Sequence, residues 1–234
     1  MSARFDGDDD ELAEEPAPRP RVASPPATRK GRRSAAAFRS AAAEVFAERG
    51  FLNTTVADIA EKAGRSPASF YYHYDSKEGV LIALFQDFND AVTAGASEMF
   101  DPAAPPKDQI EQLTRNFWRT YREWLPVLTA VFQLSMVDAG FYEHWRSIRL
   151  DAVRAIRAWV RDAQSKGFAP ELDPDLAASA LAAMLDGFCY MWLARDGDLP
   201  DVTLDEERAQ RTLAALCFRS LYGSVDGGEL SAAD

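Results

Sequence analysis

Between Thr54 and Lys77 the chain reads TTVADIAEKAGRSPASFYYHYDSK, and few folds accept that stretch. Thr55 is an N-cap residue, with Asp58 three positions on at capping-box spacing. Val56, Ile59, Ala60 and Ala63 fall on one face of a helix of about two turns. Gly64 supplies the left-handed residue that ends it. Ser66 caps a second helix that opens with Pro67, where a missing N–H costs nothing. Two short helices joined by a turn containing glycine make a helix-turn-helix. Phe70 is the core residue of the second helix, and Ser69, Tyr71, Tyr72 and His73 are spread around its outer faces. FYYHY followed by a lysine describes a surface that touches a polyanion while its back face packs in a core.

Net charge over the 234 residues is −11, which on its own argues against a nucleic-acid partner. The distribution removes the contradiction. Residues 1–27 carry −4 and residues 78–234 carry −11, whereas residues 28–77 hold nine basic and five acidic side chains and carry +4. Local field, not overall charge, decides whether a polyanion docks. Arg29, Lys30, Arg32 and Arg33 form a basic cluster ahead of the first helix. It reads either as an arm that follows a phosphate backbone or enters a minor groove, or as a solvated charge run.

The expected fold is all-α, about nine helices in total: a three-helix helix-turn-helix domain followed by a larger helical domain. Residues 1–27 are acidic and then Pro-rich and are expected to be disordered. The head spans 28–77, the helical domain 78–223, and 224–234 form a flexible tail. Helix one is expected from about Ser34 to Arg49, stopping at Gly50, with Phe38, Ala42, Val45 and Phe46 on its core face. The fourth is expected from near Ser76 to about Phe100, burying Leu81, Leu84, Phe85 and Phe88, before Pro102, Pro105 and Pro106 break the chain. The spacing predicts further helices at about 107–124, 126–137, 140–165, 174–195 and 204–222. The first thirty residues hold no apolar run, so no secretory signal is expected. The longest apolar stretch, Leu176 to Leu193, is interrupted by Asp186, which argues against a membrane span. Cys189 and Cys217 have no metal-like spacing and are expected to be reduced and packed. The compartment expected is the cytoplasm, with no metal or cofactor.

AAAEVFAERGF (Ala41 to Phe51), TTVADIAEKAG (Thr54 to Gly64) and SFYYHYDSKEGVL (Ser69 to Leu81) together resemble the N-terminal domain of the TetR family of bacterial transcriptional repressors. The remainder is similar to that family only in length and helical character. The resemblance implies a DNA-contact set. Thr55 presents its hydroxyl and backbone N–H to a phosphate at a helix N-terminus. Arg65, Ser66, Ala68 and Ser69 open the recognition helix that meets base edges in the major groove. Tyr71, Tyr72 and His73 match positions that touch phosphate or base, and Lys77 matches a phosphate-binding lysine. Arg32 and Arg33 would join from the arm. Most such contacts position rather than specify. Base reading falls to Arg65 through Tyr71, with Arg65 able to fork onto a guanine.

The helix around Pro174 to Arg195 has almost no polar side, and a helix apolar all round is buried all round. Leu176, Ala180, Ala183, Met184, Gly187 and Met191 cover one face; Leu181, Leu185, Phe188 and Trp192 cover another. A core on one side and a second subunit on the other is the economical reading. Leu213, Leu216 and Leu221 of the last helix pair beside it, as in the four-helix bundle the resemblance implies. The expected interface residues are therefore Leu181, Met184, Leu185, Phe188, Leu213, Leu216 and Leu221. A homodimer of this kind presents two recognition helices to a palindromic operator in double-stranded DNA.

The resemblance also implies an effector cavity among the middle helices, and the aromatic load there suits one. Phe117, Tyr121, Phe132, Met136, Trp145, Phe188 and Trp192 are candidate lining, with Gln133, Arg149, Asp186 or Tyr190 as polar anchors. Asp186 needs a partner in so apolar a helix: Arg146, Arg149, Tyr190 or a cationic ligand. The chain therefore reads as a DNA-binding transcriptional regulator, most simply a repressor, controlled by a small and largely apolar effector. A constitutive or architectural DNA-binding protein without effector is the rival. An enzyme is not expected, because His73 and His144 are the only histidines and no catalytic arrangement accompanies them.

Overall fold

The computed structural model describes residues 28–99, 101 and 103–223. The expected tails, 1–27 and 224–234, lie outside the described residues. Among those described the chain is all-α, with nine helices: α1 (Arg29–Arg49), α2 (Val56–Lys62), α3 (Pro67–Tyr71), α4 (Lys77–Met99), α5 (Pro106–Glu123), α6 (Leu125–Ser135), α7 (Ala139–Ser165), α8 (Pro174–Ala194) and α9 (Glu206–Tyr222).

Local chemistry sets the boundaries of the first three. Thr28 caps α1 by accepting from the Gly31 N–H at 3.1 Å, so α1 begins at Arg29 rather than near Ser34. The basic cluster is thus the first turns of a helix and not an extended arm. Gly50 ends α1 with φ +75°, its N–H donating to Phe46 O at 2.9 Å. Thr55 and Asp58 close a reciprocal capping box over α2. Gly64 turns the chain with φ +64°, and the Ser66 hydroxyl accepts from the Ser69 N–H at 3.2 Å to start α3. Each side-chain cap contributes about 1 kcal/mol, which matters for helices this short.

Phe38 of α1 and Phe70 of α3 meet edge-to-face with centroids 5.3 Å apart. Ile59, Ala60, Val80 and Leu81 close around them, all buried. Burying each large apolar side chain stabilises the fold by about 1.5–3 kcal/mol. This core continues along α4 into the larger half of the molecule. Leu84 and Phe88 join it to Trp118 and Tyr121 of α5, Val131 of α6 and Leu213 of α9 in one contiguous cluster. A second cluster gathers Val160 and Ala163 of α7, Leu181 of α8, and Cys217 and Leu221 of α9.

Among the described residues α8 is long and apolar enough to cross a membrane by length and composition. Of its residues Ala178, Leu181, Ala182 and Cys189 are buried, and Asp186 pairs with Arg149 of α7.

Candidate functional site

The head presents α3 outward. Arg65, Ser66 and Ala68 are exposed, as are Tyr71 at 56% and Tyr72 at 80%, while Phe70 between them is fully buried. Ser69 is half-buried. Two tyrosines left facing solvent on a short helix form a polar-tipped aromatic surface that a packed core would not leave behind. Arg65 also lies near the core edge, its guanidinium 6.0 Å from the centre of the Phe38 ring. Arg29, Lys30, Arg32 and Arg33 extend the basic surface at the start of α1. No acidic residue stands in that first turn, so four cations crowd the positive end of a helix dipole.

Three expected contacts sit differently from their sequence reading. His73 is buried, its ring 5.9 Å from Phe38 and 5.1 Å from Tyr72. It braces the head and does not face a ligand. Burial, with the Arg65 charge adding to it, holds its imidazole below the ordinary value. Thr55 is already engaged: its N–H and hydroxyl donate to Asp58 Oδ2 at 2.8 and 2.6 Å. Neither group is free for a phosphate while the capping box is closed. Lys77 folds back, its Nζ donating to Phe51 O and Thr54 O, each at 2.9 Å, and lying 4.5 Å from the centre of the Phe51 ring. It ties the α1–α2 loop to the start of α4. The carbonyls left over where α1 ends attract a cation, and no local sequence pattern announces that.

Behind the head, Arg39 of α1 pairs with Asp87 of α4 at 2.7 Å and donates to the Tyr74 hydroxyl at 3.2 Å. The Tyr74 hydroxyl in turn donates to Ala35 O at 3.3 Å. Burial raises the Asp87 carboxyl, and the Arg39 charge opposes that. These contacts fix α4 to α1, on the side of α4 away from a large cavity.

That cavity, of about 1130 Å³, lies among α4 to α9. Six expected residues line it: Phe117, Tyr121, Phe132, Trp145, Arg149 and Asp186. Five do not. Gln133 is exposed, and Met136 is 78% exposed where α6 ends. Phe188 packs between Trp118 and Trp192, with centroids 6.1 and 6.2 Å away. Tyr190 stacks on Phe132 at 4.8 Å. Trp192 covers Gly197, where a Cβ would come within 2.6 Å of the indole. Met136, Phe188, Tyr190 and Trp192 share a face with lining residues but sit nearer the C-terminal ends of α6 and α8, beyond Phe132 and Asp186, where the lining on those two helices ends. The cavity wall instead draws on α4, through Phe85, Phe88, Asn89 and Thr93, and on α7, through Ile148 and Ile156. The available signal was the polar Asn89 and Thr93 interrupting the apolar stripe of α4.

Arg149 is the partner of Asp186, Nε to Oδ2 at 3.1 Å, and its guanidinium lies 5.5 Å from the centre of the Trp145 ring. Burial pushes the Asp186 carboxyl up and Arg149 draws it back. Protein surrounds both side chains, yet they keep 27% and 19% of their surface accessible, because they look into the cavity. Cys189 and Cys217 are free and buried. Burial pushes the Cys217 thiol up to about 11 and the Cys189 thiol higher still, so neither is a nucleophile at neutral pH. Among the described residues no group of His, Cys, Asp and Glu is placed to hold a metal.

The outer face of α8 carries Leu176, 72% exposed, with Ala180 and Ala183 exposed and Met184 and Gly187 half-buried. On α9, Leu216 is 47% exposed. Leu181, Leu213 and Leu221 point the other way and are buried within this chain; they belong to its own core and not to an interface. Leu185 and Phe188 are also spent inside, one on the cavity wall and the other against Trp118.

A helix-turn-helix head with an exposed second helix, joined by α4 to a helical domain that holds a large cavity, defines a DNA-binding regulator. The chain belongs to the TetR family. The profile of bacterial regulatory proteins of the tetR family matches residues 38–84, and that of the BetI-type transcriptional repressor C-terminal domain matches residues 106–219. The transcriptional regulator EthR of Mycolicibacterium smegmatis is 26% identical over 220 residues, covering 88% of this chain and 98% of that one. The regulator TtgR of Pseudomonas putida is 31% identical over 170 residues, 69% and 79% of the two chains. In fold, a TetR-family regulator from Rhodococcus sp. superposes with a TM-score of 0.67 at 22% identity, over 80% of this chain and 98% of that one. These relatives are transcriptional regulators and not enzymes, and regulators of this family bind DNA operators and act as dimers.

Proposed function

We propose that this regulator represses transcription as a homodimer on a palindromic operator and that a small, largely apolar effector in the cavity of about 1130 Å³ controls its hold on DNA. Residues 28–77 form the DNA-binding head and 78–223 the effector and dimerisation domain, working in the cytoplasm. Arg65, Ser66, Ala68, Ser69, Tyr71 and Tyr72 meet the major groove, with Arg32 and Arg33 on flanking phosphates. His73, Thr55 and Lys77 hold those residues in place. The outer face of α8, with Leu216 of α9, forms the subunit seam.

The observation that carries this reading is the outward set Arg65, Ser66, Ala68, Tyr71 and Tyr72 on and beside α3, whose underside, Phe70, is fully buried. Coupling runs through α4, which places Phe88 and Asn89 in the cavity wall and Asp87 on Arg39 of the head. A ligand that moves α4 changes the spacing of two heads in a dimer, and reciprocal coupling of about 1–3 kcal/mol is typical of such linkage. A constitutive DNA-binding protein has no use for the cavity.

The test selects DNA fragments from a random library with the purified full-length protein, then measures affinity at several salt concentrations. The expected result is an enriched inverted repeat whose binding weakens steeply with salt and is lost in Arg65→Ala with Tyr72→Ala. No enrichment at low ionic strength would overturn the proposal.

A further inference from the structure

The polar groups of the cavity fall into two kinds. Most are spent on backbone carbonyls of their own or a neighbouring helix. Asn89 Nδ2 donates to Phe85 O at 2.8 Å, Asn116 Nδ2 to Val92 O at 3.1 Å, and Thr114 Oγ1 to Ile110 O at 2.8 Å. Tyr121 is different. Its ring is held between Phe117 and Phe88, with centroids 5.7 and 6.2 Å away, and the residue is 1% exposed. It lines the cavity, and its hydroxyl has no hydrogen-bond partner among the described residues. A buried hydroxyl without a partner is costly, and native structures rarely keep one without a use.

The charge around it narrows what can answer it. Asp186 stands in the wall of the same cavity, and its negative charge adds to burial in holding the Tyr121 hydroxyl in its protonated, donating form. Asp186 and Arg149 satisfy each other at 3.1 Å, so neither is left to neutralise a charged ligand. A carboxylate entering here faces Asp186, and exposed Asp90 and Asp151 stand among the outer lining residues. An ammonium beside Tyr121 faces the Arg149 guanidinium, and the carboxylates that would draw it, Asp90 and Asp151, are exposed to water and screened. A hydroxyl fits both neighbours, because it accepts one hydrogen bond and donates another. The rest of the wall, with Phe85, Phe88, Phe117, Val131, Trp145 and Ile156, asks for hydrocarbon or aromatic bulk.

We propose that the effector is an uncharged, predominantly apolar alcohol or phenol, seated so that its oxygen accepts from the Tyr121 hydroxyl and its proton is donated to Asp186. This rests on the effector reading above and names its chemical class. The Asp186–Arg149 pair is then a positioning device that holds the acceptor carboxylate in place and cancels its net charge.

Two probe series of fixed skeleton test it on the full-length protein: decan-1-ol, decanoate, decylamine and decane; and 4-phenylphenol, biphenyl-4-carboxylate, 4-aminomethylbiphenyl and biphenyl. Binding is read by tryptophan fluorescence, because Trp145 and Trp159 line the cavity, and by the rise in Tm. In at least one series the alcohol binds about ten-fold tighter than its acid, amine and hydrocarbon counterparts. Tyr121→Phe folds with an unchanged or higher Tm and erases the difference between alcohol and hydrocarbon. Equal or tighter binding of the acid or amine overturns the proposal, as does a preference that survives Tyr121→Phe, or no binding of either alcohol. Operator affinity separates this idea from the one beneath it. A charged probe that binds tighter and still moves operator affinity overturns the hydroxyl site and leaves the effector reading in place. An alcohol bound through Tyr121 that leaves operator affinity unchanged supports the site and counts against effector control.

Discussion

Replacing Lys77 with glutamine separates a strut from a phosphate contact. The substitution removes an ammonium that donates to Phe51 O and Thr54 O at 2.9 Å and sits 4.5 Å from the Phe51 ring centre. A hydrogen bond from a charged donor contributes about 1.5–3 kcal/mol when well buried. Here the side chain is half-buried and water recovers part of the loss, leaving about 2 kcal/mol for the two bonds together. The ring contact adds about 0.5 kcal/mol. Urea unfolding should therefore show Lys77→Gln destabilised by about 2–2.5 kcal/mol. Operator affinity should fall while its salt dependence stays nearly the same, because the loop loosens and no phosphate partner is lost. A phosphate contact gives the opposite signature. Two lysines per dimer would take about 1.8 from the slope of log K against log salt and leave stability alone. An unchanged unfolding midpoint with a slope reduced by that amount refutes the strut.

Ala183→Glu places a charge on the outer face of α8 without entering the core, so light scattering should report monomers that keep their helical circular dichroism; a dimeric variant excludes this seam. His73 has its folded-state pKa lowered by burial and by Arg65, so the unfolded chain takes up the proton first. Stability should hold above about pH 6.5 and decline as pH falls from there towards the folded-state value; His73→Leu should flatten that decline, and a decline of equal size in the variant assigns it elsewhere. Arg149→Met leaves Asp186 without its cation. The expected cost is about 2 kcal/mol, below the 3–5 kcal/mol of a fully buried pair because both side chains keep some accessible surface, and Arg149→Met with Asp186→Leu should recover most of it in thermal unfolding.

The head is legible in the sequence because its signals act within one turn of the chain. Thr55 and Asp58, Gly64, Ser66 and Pro67 each satisfy or free backbone groups a few residues away, and the structure places helix ends on them. Pro106, Pro174, Asp173 and Asp205 mark later boundaries in the same way. Side-chain direction is less legible where the deciding partner is remote. His73 is drawn in by Phe38 and Lys77 by carbonyls more than twenty positions back, and both look like exposed polar residues in the linear text. The outer helices fail for another reason. An apolar helix has two sides, and nothing local says which one Leu181, Leu213 or Leu221 takes. Met136 and Phe188 lie on the right face but past the end of the cavity, a limit along the helix axis that periodicity does not encode, and α4 supplies much of the wall instead.

The contiguous cluster that starts at Phe38 and Phe70 and runs through Phe88 to Tyr121 and Leu213 has a bearing on modularity. A chain knit in this way should melt in a single calorimetric endotherm, because neither half keeps its interior when the other opens. Swapping heads between such regulators then means transplanting α4 together with the groove-reading helices. Ala68, exposed and outside that cluster, can be varied at little structural cost, so on the proposed reading it is where altered operator preference should be sought first.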